Sequence, residues 1–218
     1  FLFGIQIYGD FSGYSDIAIG TGRLFGFQLM TNFKFPYFSR NIAEFWRRWH
    51  ISLSTWFRDY LYIPLGGSRG SQWQQVRNVF IIFLVSGFWH GANWTFLVWG
   101  GIHASLFLPL LLLNKNRIYD WETRFKANHI LSMLSTFILV TLAWVFFRAD
   151  TMTEALNYLQ GIFNGNGYTL ELFYKSSKTL LFSLIILISM IIMFLFEFKA
   201  FKKQFEEVKL NAFWASFM

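Results

Sequence analysis

Hydrophobic positions in this chain fall into long unbroken runs rather than short amphipathic faces. Residues 130–147, ILSMLSTFILVTLAWVFF, carry no charge over 18 positions, and neither do residues 179–196, TLLFSLIILISMIIMFLF. At about 1.5 Å rise per residue, a helix of that length crosses a hydrocarbon core of roughly 30 Å with little tilt. A third span is predicted over 94–113, WTFLVWGGIHASLFLPLLLL, where His103 and Pro109 interrupt the run and Pro109 is expected to kink it. The apolar stretch 79–89 ends at His90 after 11 residues. It is too short to span alone and predicts a half-membrane, tilted or re-entrant segment.

Upstream the pattern changes. The first 30 residues are apolar but studded with Asp10, Ser12, Tyr14, Ser15, Asp16 and Arg23. Residues 37–62 mix aromatic side chains with arginines and Glu44, which predicts an amphipathic interfacial or cavity-lining helix. Residues 63–72, IPLGGSRGSQ, read as a loop because Pro64, Gly66, Gly67 and Gly70 all break helices. There is no internal repeat or low-complexity linker. The pattern predicts an all-α polytopic membrane protein, with residues 1–218 forming a single membrane-embedded region.

Composition agrees. Hydrophobic residues make up 55% and charged residues 14%, where a soluble domain carries about 25% charged. A chain with 29 phenylalanines cannot cover its apolar surface with polar groups, so a bilayer is its natural solvent. The net charge is +7. Nucleic acid is the usual partner of a basic chain, but here the basic residues fall between apolar runs. That placement suits the anionic cytoplasmic face of a membrane, and no nucleic-acid partner is expected. With no cysteine there is no disulfide or thiolate chemistry. The chain opens at Phe1 inside FLFGIQIYGD, and it is expected to be an internal or C-terminal piece of a larger membrane protein.

Lysine and arginine placement predicts the orientation. Segment 114–128 carries Lys115, Arg117, Arg124 and Lys126, and segment 199–218 carries Lys199, Lys202, Lys203 and Lys209. Two spans separate them, so they share one side. The positive-inside rule makes that side cytoplasmic and puts 148–178 outside.

Four histidines are candidates for chemistry. His90, in SGFWHGANW, stands between apolar runs with Gly87 and Gly91 beside it. It is either a core histidine bonded to a neighbouring carbonyl or a working base. At membrane depth an ionisable group is costly and points to function, and neutral imidazole accepts a proton near neutral pH. The glycines let a second backbone or a ligand approach closely. His50 lies in EFWRRWHISLS among Trp46, Trp49 and Trp56. That segment fits an interfacial Trp and Arg belt, or a tunnel mouth where Arg47 and Arg48 grip an anionic carrier. Asp10 and Asp16 are expected to pair with Arg23, Arg47 or Arg48 and hold helices together. His103 is expected to be packed and hydrogen-bonded, and His129 to be interfacial. There is no H-E-x-x-H, no Walker loop and no G-x-S-x-G. Acid–base work by histidine is what remains, with no metal and no bound cofactor expected.

Three ordered stretches carry a resemblance: QIYGDFSGYSDIAIGTGRLFGFQLMTNFKFPY, NIAEFWRRWHISLSTWFRDYLYIPLGGSRG and SGFWHGANWTFLVWGGIHA. Together, over residues 6 to 104, they resemble the membrane-bound O-acyltransferases. The similarity is strongest to the branch of the bacterial alginate O-acetyltransferase membrane subunit and weaker to the teichoic-acid D-alanyl transferases. The resemblance implies a ring of tilted helices around a central tunnel, of which this chain holds the C-terminal part. It implies that His90 and His50 are the catalytic histidines, His90 deep in the tunnel and His50 on the cytoplasmic side. Arg47, Arg48, Asn93 and Trp89 are expected to bind substrate, Asn93 by orienting the imidazole or binding the carbonyl. The implied co-substrate is an acyl thioester such as acetyl-CoA or an acyl carrier. The implied acceptor is a hydroxyl of an exported polysaccharide, reached directly or through an extracytoplasmic acyltransferase partner, in the bacterial inner membrane. Two other readings stay open: a transporter or channel that uses His90 and Asp16, and a non-catalytic scaffold subunit.

Overall fold

The computed structural model describes residues 2–117, 127–165 and 177–215, with the side chains of 127–128, 177–179 and 203–215 left out. Among the described residues every regular element is a helix. In chain order they are α1 (Leu2–Leu24), a 3-10 turn (Pro36–Phe38), α2 (Ile42–Arg48), α3 (Ile51–Phe57), a π turn (Arg58–Tyr62), α4 (Gln72–His90), α5 (Trp94–Leu112), α6 (Ala127–Arg148), α7 (Met152–Asn164) and α8 (Ser177–Ala215). They fall into two compact units, residues 1–119 with 125–160, and residues 120–124 with 161–218.

In the first unit α4 and α5 pack along one another, and α6 packs on α5. Two glycines set the α4–α5 approach. A Cβ on Gly87 would run into the Phe96 carbonyl, and one on Gly100 would run into the Phe83 carbonyl. Phe83, Val79, Ala104 and Leu111 form the core between the two helices, with Trp46 of α2 against it. In α6 the buried residues Thr136, Val140 and Ala143 recur at helical spacing on one face, while Leu131, Leu134 and Leu139 are exposed. Such an outward apolar face is expected of a helix bounded by lipid, where tight packing rather than hydrophobic burial holds helices together.

Trp94–Leu112, His129–Arg148 and Leu180–Lys202 are long and apolar enough to cross a membrane, which agrees with the three predicted spans. Pro109 lies in the last turn of α5, which ends three residues later. The second unit carries α8, whose 39 residues continue well past the apolar run into the lysine-bearing tail.

The helix that ends at His90 is longer than its apolar run, 19 residues in α4, and it is not among the helices apolar enough to cross a membrane. It starts seven positions before the apolar run because Ser71 and Gln74 form a capping box, each side chain bonded to the other's backbone N–H. Asn78, buried in its second turn, donates to the carbonyls of Leu65 and Gly67 and so fixes the preceding loop to the helix. The expectation for 37–62 needs correction: the segment is not one amphipathic helix. It breaks at Trp49, which is extended, and at His50, whose φ of 45° is left-handed. The break is held from outside: Lys34 N–H donates to the Arg48 carbonyl and Ile51 N–H to the Asn32 carbonyl, both at 3.0 Å.

Candidate active site

His90 is the last residue of α4, half-buried, with its ring edge-on to Trp99 at 5.4 Å and to Phe147 at 5.0 Å. Trp99 comes from α5 and Phe147 from α6, so three helices build this aromatic seat. Neither ring nitrogen of His90 has a hydrogen-bond partner among the described residues. The ring is held by aromatic edges rather than by a hydrogen bond to a described protein group.

His103 shows the contrast. It is fully buried, and the Trp46 indole donates to its Nδ1 at 3.3 Å. It is the packed, bonded histidine of the site region, seated among Trp46, Phe83 and Trp99.

His50 sits in the α2–α3 break, edge-on to Phe11 of α1 at 4.7 Å, with Ser52 Oγ 3.4 Å from its Nδ1. Burial, and next the charge of His90 when that ring is protonated, push His50 down to about 4. Between His50 and His90 stands a wall of rings in which Trp49 meets Trp144 at 5.2 Å and Trp144 meets Phe147 at 5.1 Å.

Arg47 and Arg48 part company, since neighbouring residues on a helix point about 100° apart. Arg48 turns inward, 3% exposed, and pairs with Glu44 at 2.6 Å. Glu44 also binds the Arg40 side chain at 3.2 Å. This acid, not Asp10 or Asp16, supplies the ion pair to Arg48, both aspartates being exposed. Arg47 donates to the Asn116 carbonyl at 2.6 Å and lines a cavity of about 320 Å³. Arg58 and Arg117 line it too, with hydroxyls of Ser54, Tyr62 and Ser86 and apolar walls from Val79, Ile82 and Phe83.

The α4 face ties this cavity to His90. Val79, Ile82, Phe83 and Ser86 line it, and their spacing marks one side of a helix. His90 is four residues beyond Ser86 on that same side, a rise of about 6 Å. His50 is not among the lining residues.

Asn93 caps α5: its Oδ1 accepts from Thr95 N–H at 3.2 Å, and its Nδ2 donates to the Asp150 carbonyl at 2.8 Å. The amide thus anchors the α4–α5 corner to the end of α6. Trp89 is 59% exposed and meets His90 edge-on. Gly87 and Gly91 make room for protein rather than for a ligand, since a Cβ on either would strike Phe96. The sequence reading missed Asn32, Glu44 as the partner of Arg48, and the seat of Trp99 and Phe147. The S-x-x-Q cap and the E-x-x-x-R spacing were available signals for α4 and for the ion pair.

Residues 1–147 match the membrane-bound O-acyltransferase family. A probable alginate O-acetylase of Azotobacter vinelandii is 42% identical over 199 residues, 91% of this chain and 39% of the relative. A peptidoglycan O-acetyltransferase of Helicobacter pylori is 47% identical over 171 residues, 77% of this chain and 31% of the relative. A teichoic acid D-alanyltransferase of Bacillus subtilis is 32% identical over 153 residues, 66% of this chain and 39% of the relative. The chain thus spans between 31% and 39% of the length of these relatives. With this match over residues 1–147, relatives 42% and 47% identical and three helices apolar enough to span a membrane, the chain belongs to the membrane-bound O-acyltransferase family.

Proposed function

We propose that this chain forms the acyl-transfer centre of a bacterial inner-membrane O-acyltransferase. It passes an acyl group, acetyl by preference, from a cytoplasmic thioester to a hydroxyl of an exported polysaccharide, directly or through an extracytoplasmic partner. The observation that carries this reading is the path along α4: arginines at one part of a narrow cavity, and His90 one turn beyond its Ser86.

The chemistry needs little else. The acceptor hydroxyl gives its proton to neutral His90 as its oxygen attacks the thioester carbonyl. The C–S bond breaks, and the departing thiolate takes the proton back from His90. A general base of this kind contributes about 10²- to 10⁴-fold. Arg47 and Arg117 would hold the anionic groups of the donor, such as acetyl-CoA or a phosphopantetheine carrier, while Arg58 is already paired with Asp59. The apolar walls fit a slender acyl chain, and the cavity volume falls within the range of small-molecule sites. His50 is the second neutral imidazole of the same centre. The names of the relatives support a polysaccharide acceptor, and the sugar itself is left to assay.

The arginine reading is tested in full-length protein by Arg47→Gln combined with Arg117→Gln. The apparent KM for the acyl donor should rise about tenfold or more, with a smaller change in kcat. An unchanged donor KM would remove the arginines from donor binding.

A further inference from the structure

Asn32, in the link between α1 and the 3-10 turn, joins three segments. Its carbonyl accepts from Ile51 N–H at 3.0 Å, its Oδ1 accepts from Ser52 N–H at 3.2 Å, and its Nδ2 donates to Ser15 Oγ at 3.3 Å. Ser52 Oγ lies 2.5 Å from the same Oδ1 and 3.4 Å from His50 Nδ1.

The direction of each bond follows from the donors available. Oδ1 accepts the Ser52 backbone N–H and carries no hydrogen. The Ser52 hydroxyl therefore directs its single hydrogen to Oδ1. What Ser52 Oγ presents to His50 is a lone pair, so the imidazole is the donor. We infer that Asn32 and Ser52 are positioning residues that hold neutral His50 with its proton on Nδ1, leaving the Nε2 lone pair as the acceptor. In the other tautomer Nε2 would be a donor and unable to take a proton.

The backbone supports the assignment. His50 is a non-glycine residue in left-handed conformation, an unfavourable state that persists only where the surroundings impose it. Asn32 and Lys34 impose it from both sides of the break. Burial favours the neutral ring, the only form in which a choice of tautomer exists. The catalytic consequence rests on the acyltransferase reading above, whereas the tautomer does not.

The test uses full-length protein in nanodiscs with isotopically labelled histidine nitrogens. His50→Gln identifies the His50 resonances by their loss. We expect a protonated Nδ1 and a bare Nε2 in the parent and in Ser52→Thr, and mixed tautomers in Ser52→Ala. In acyl transfer, Ser52→Ala should lower kcat/KM by about three- to tenfold, as expected for one lost hydrogen bond. Ser52→Thr should restore it, and Ser52→Ala should cost nothing further in a His50→Gln background. A proton on Nε2 in the parent would overturn the proposal, as would a full Ser52→Ala effect in that background. If Nδ1 carries the proton while His50→Gln acylates normally, the tautomer assignment is supported and the catalytic reading of His50 falls.

Discussion

Histidines with different surroundings do different work in this chain. His103 is fully buried and accepts from Trp46 on Nδ1, His90 is half-buried and seated by rings, and His50 has Ser52 Oγ beside its Nδ1. For His50 the surroundings have a consequence in pH. Its ordinary value of 6.5 is lowered to about 4, by burial first and by His90 second, and both favour the neutral form. As pH falls below 6.5 an unfolded chain takes up this proton before the folded one does, so its uptake opposes folding down to about 4. A histidine titration of the full-length protein by NMR should find His50 still neutral at mildly acidic pH, and a midpoint near 6.5 would contradict this account. At this scale the setting of His90, at the end of an apolar helix, was legible in the apolar run before it. The division between Arg47 and Arg48 was not, because which side of a short helix meets a cavity depends on its neighbours. Nor was Asn32, whose bonds reach 17 residues back to Ser15 and 20 forward to Ser52.

At the scale of elements, the site depends on how closely α4 and α5 approach. Gly87 and Gly100 allow each helix to rest on a carbonyl of the other, and a carbonyl cannot swing aside as a side chain can. Gly87→Ala should therefore destabilise the folded protein by about 1–3 kcal/mol, the usual cost of overpacking. Gly101→Ala is the control, since a Cβ there meets nothing within 4 Å. Thermal unfolding in detergent should show a lowered midpoint for the first and none for the second; equal behaviour would refute the close-contact account. The spans of α5 and α6 were legible because lipid selects long apolar runs whatever the neighbours. The break at His50 was not, because local pattern favours one helix through 37–62, and the bonds that interrupt it come from residues 32–34.

At the scale of the molecule, the positive segments predict that Asn116 faces the cytoplasm and Thr153, at the start of α7, the outside. A membrane-impermeant thiol reagent should label Thr153→Cys in intact cells and spare Asn116→Cys, against a background with no native cysteine in this chain. The opposite labelling would invert the orientation and place the arginine-lined cavity on the wrong side for a cytoplasmic thioester. The central claim is that His90 carries the proton in acyl transfer between the two faces. It is tested most directly by acylation of the exported polymer in cells carrying full-length His90→Gln, normalised to protein in the membrane. Glutamine retains much of the volume and polarity of imidazole but cannot accept the proton. The account predicts normal membrane levels with acylation per molecule lowered by about 10²-fold or more. Normal levels with near-normal acylation would contradict it.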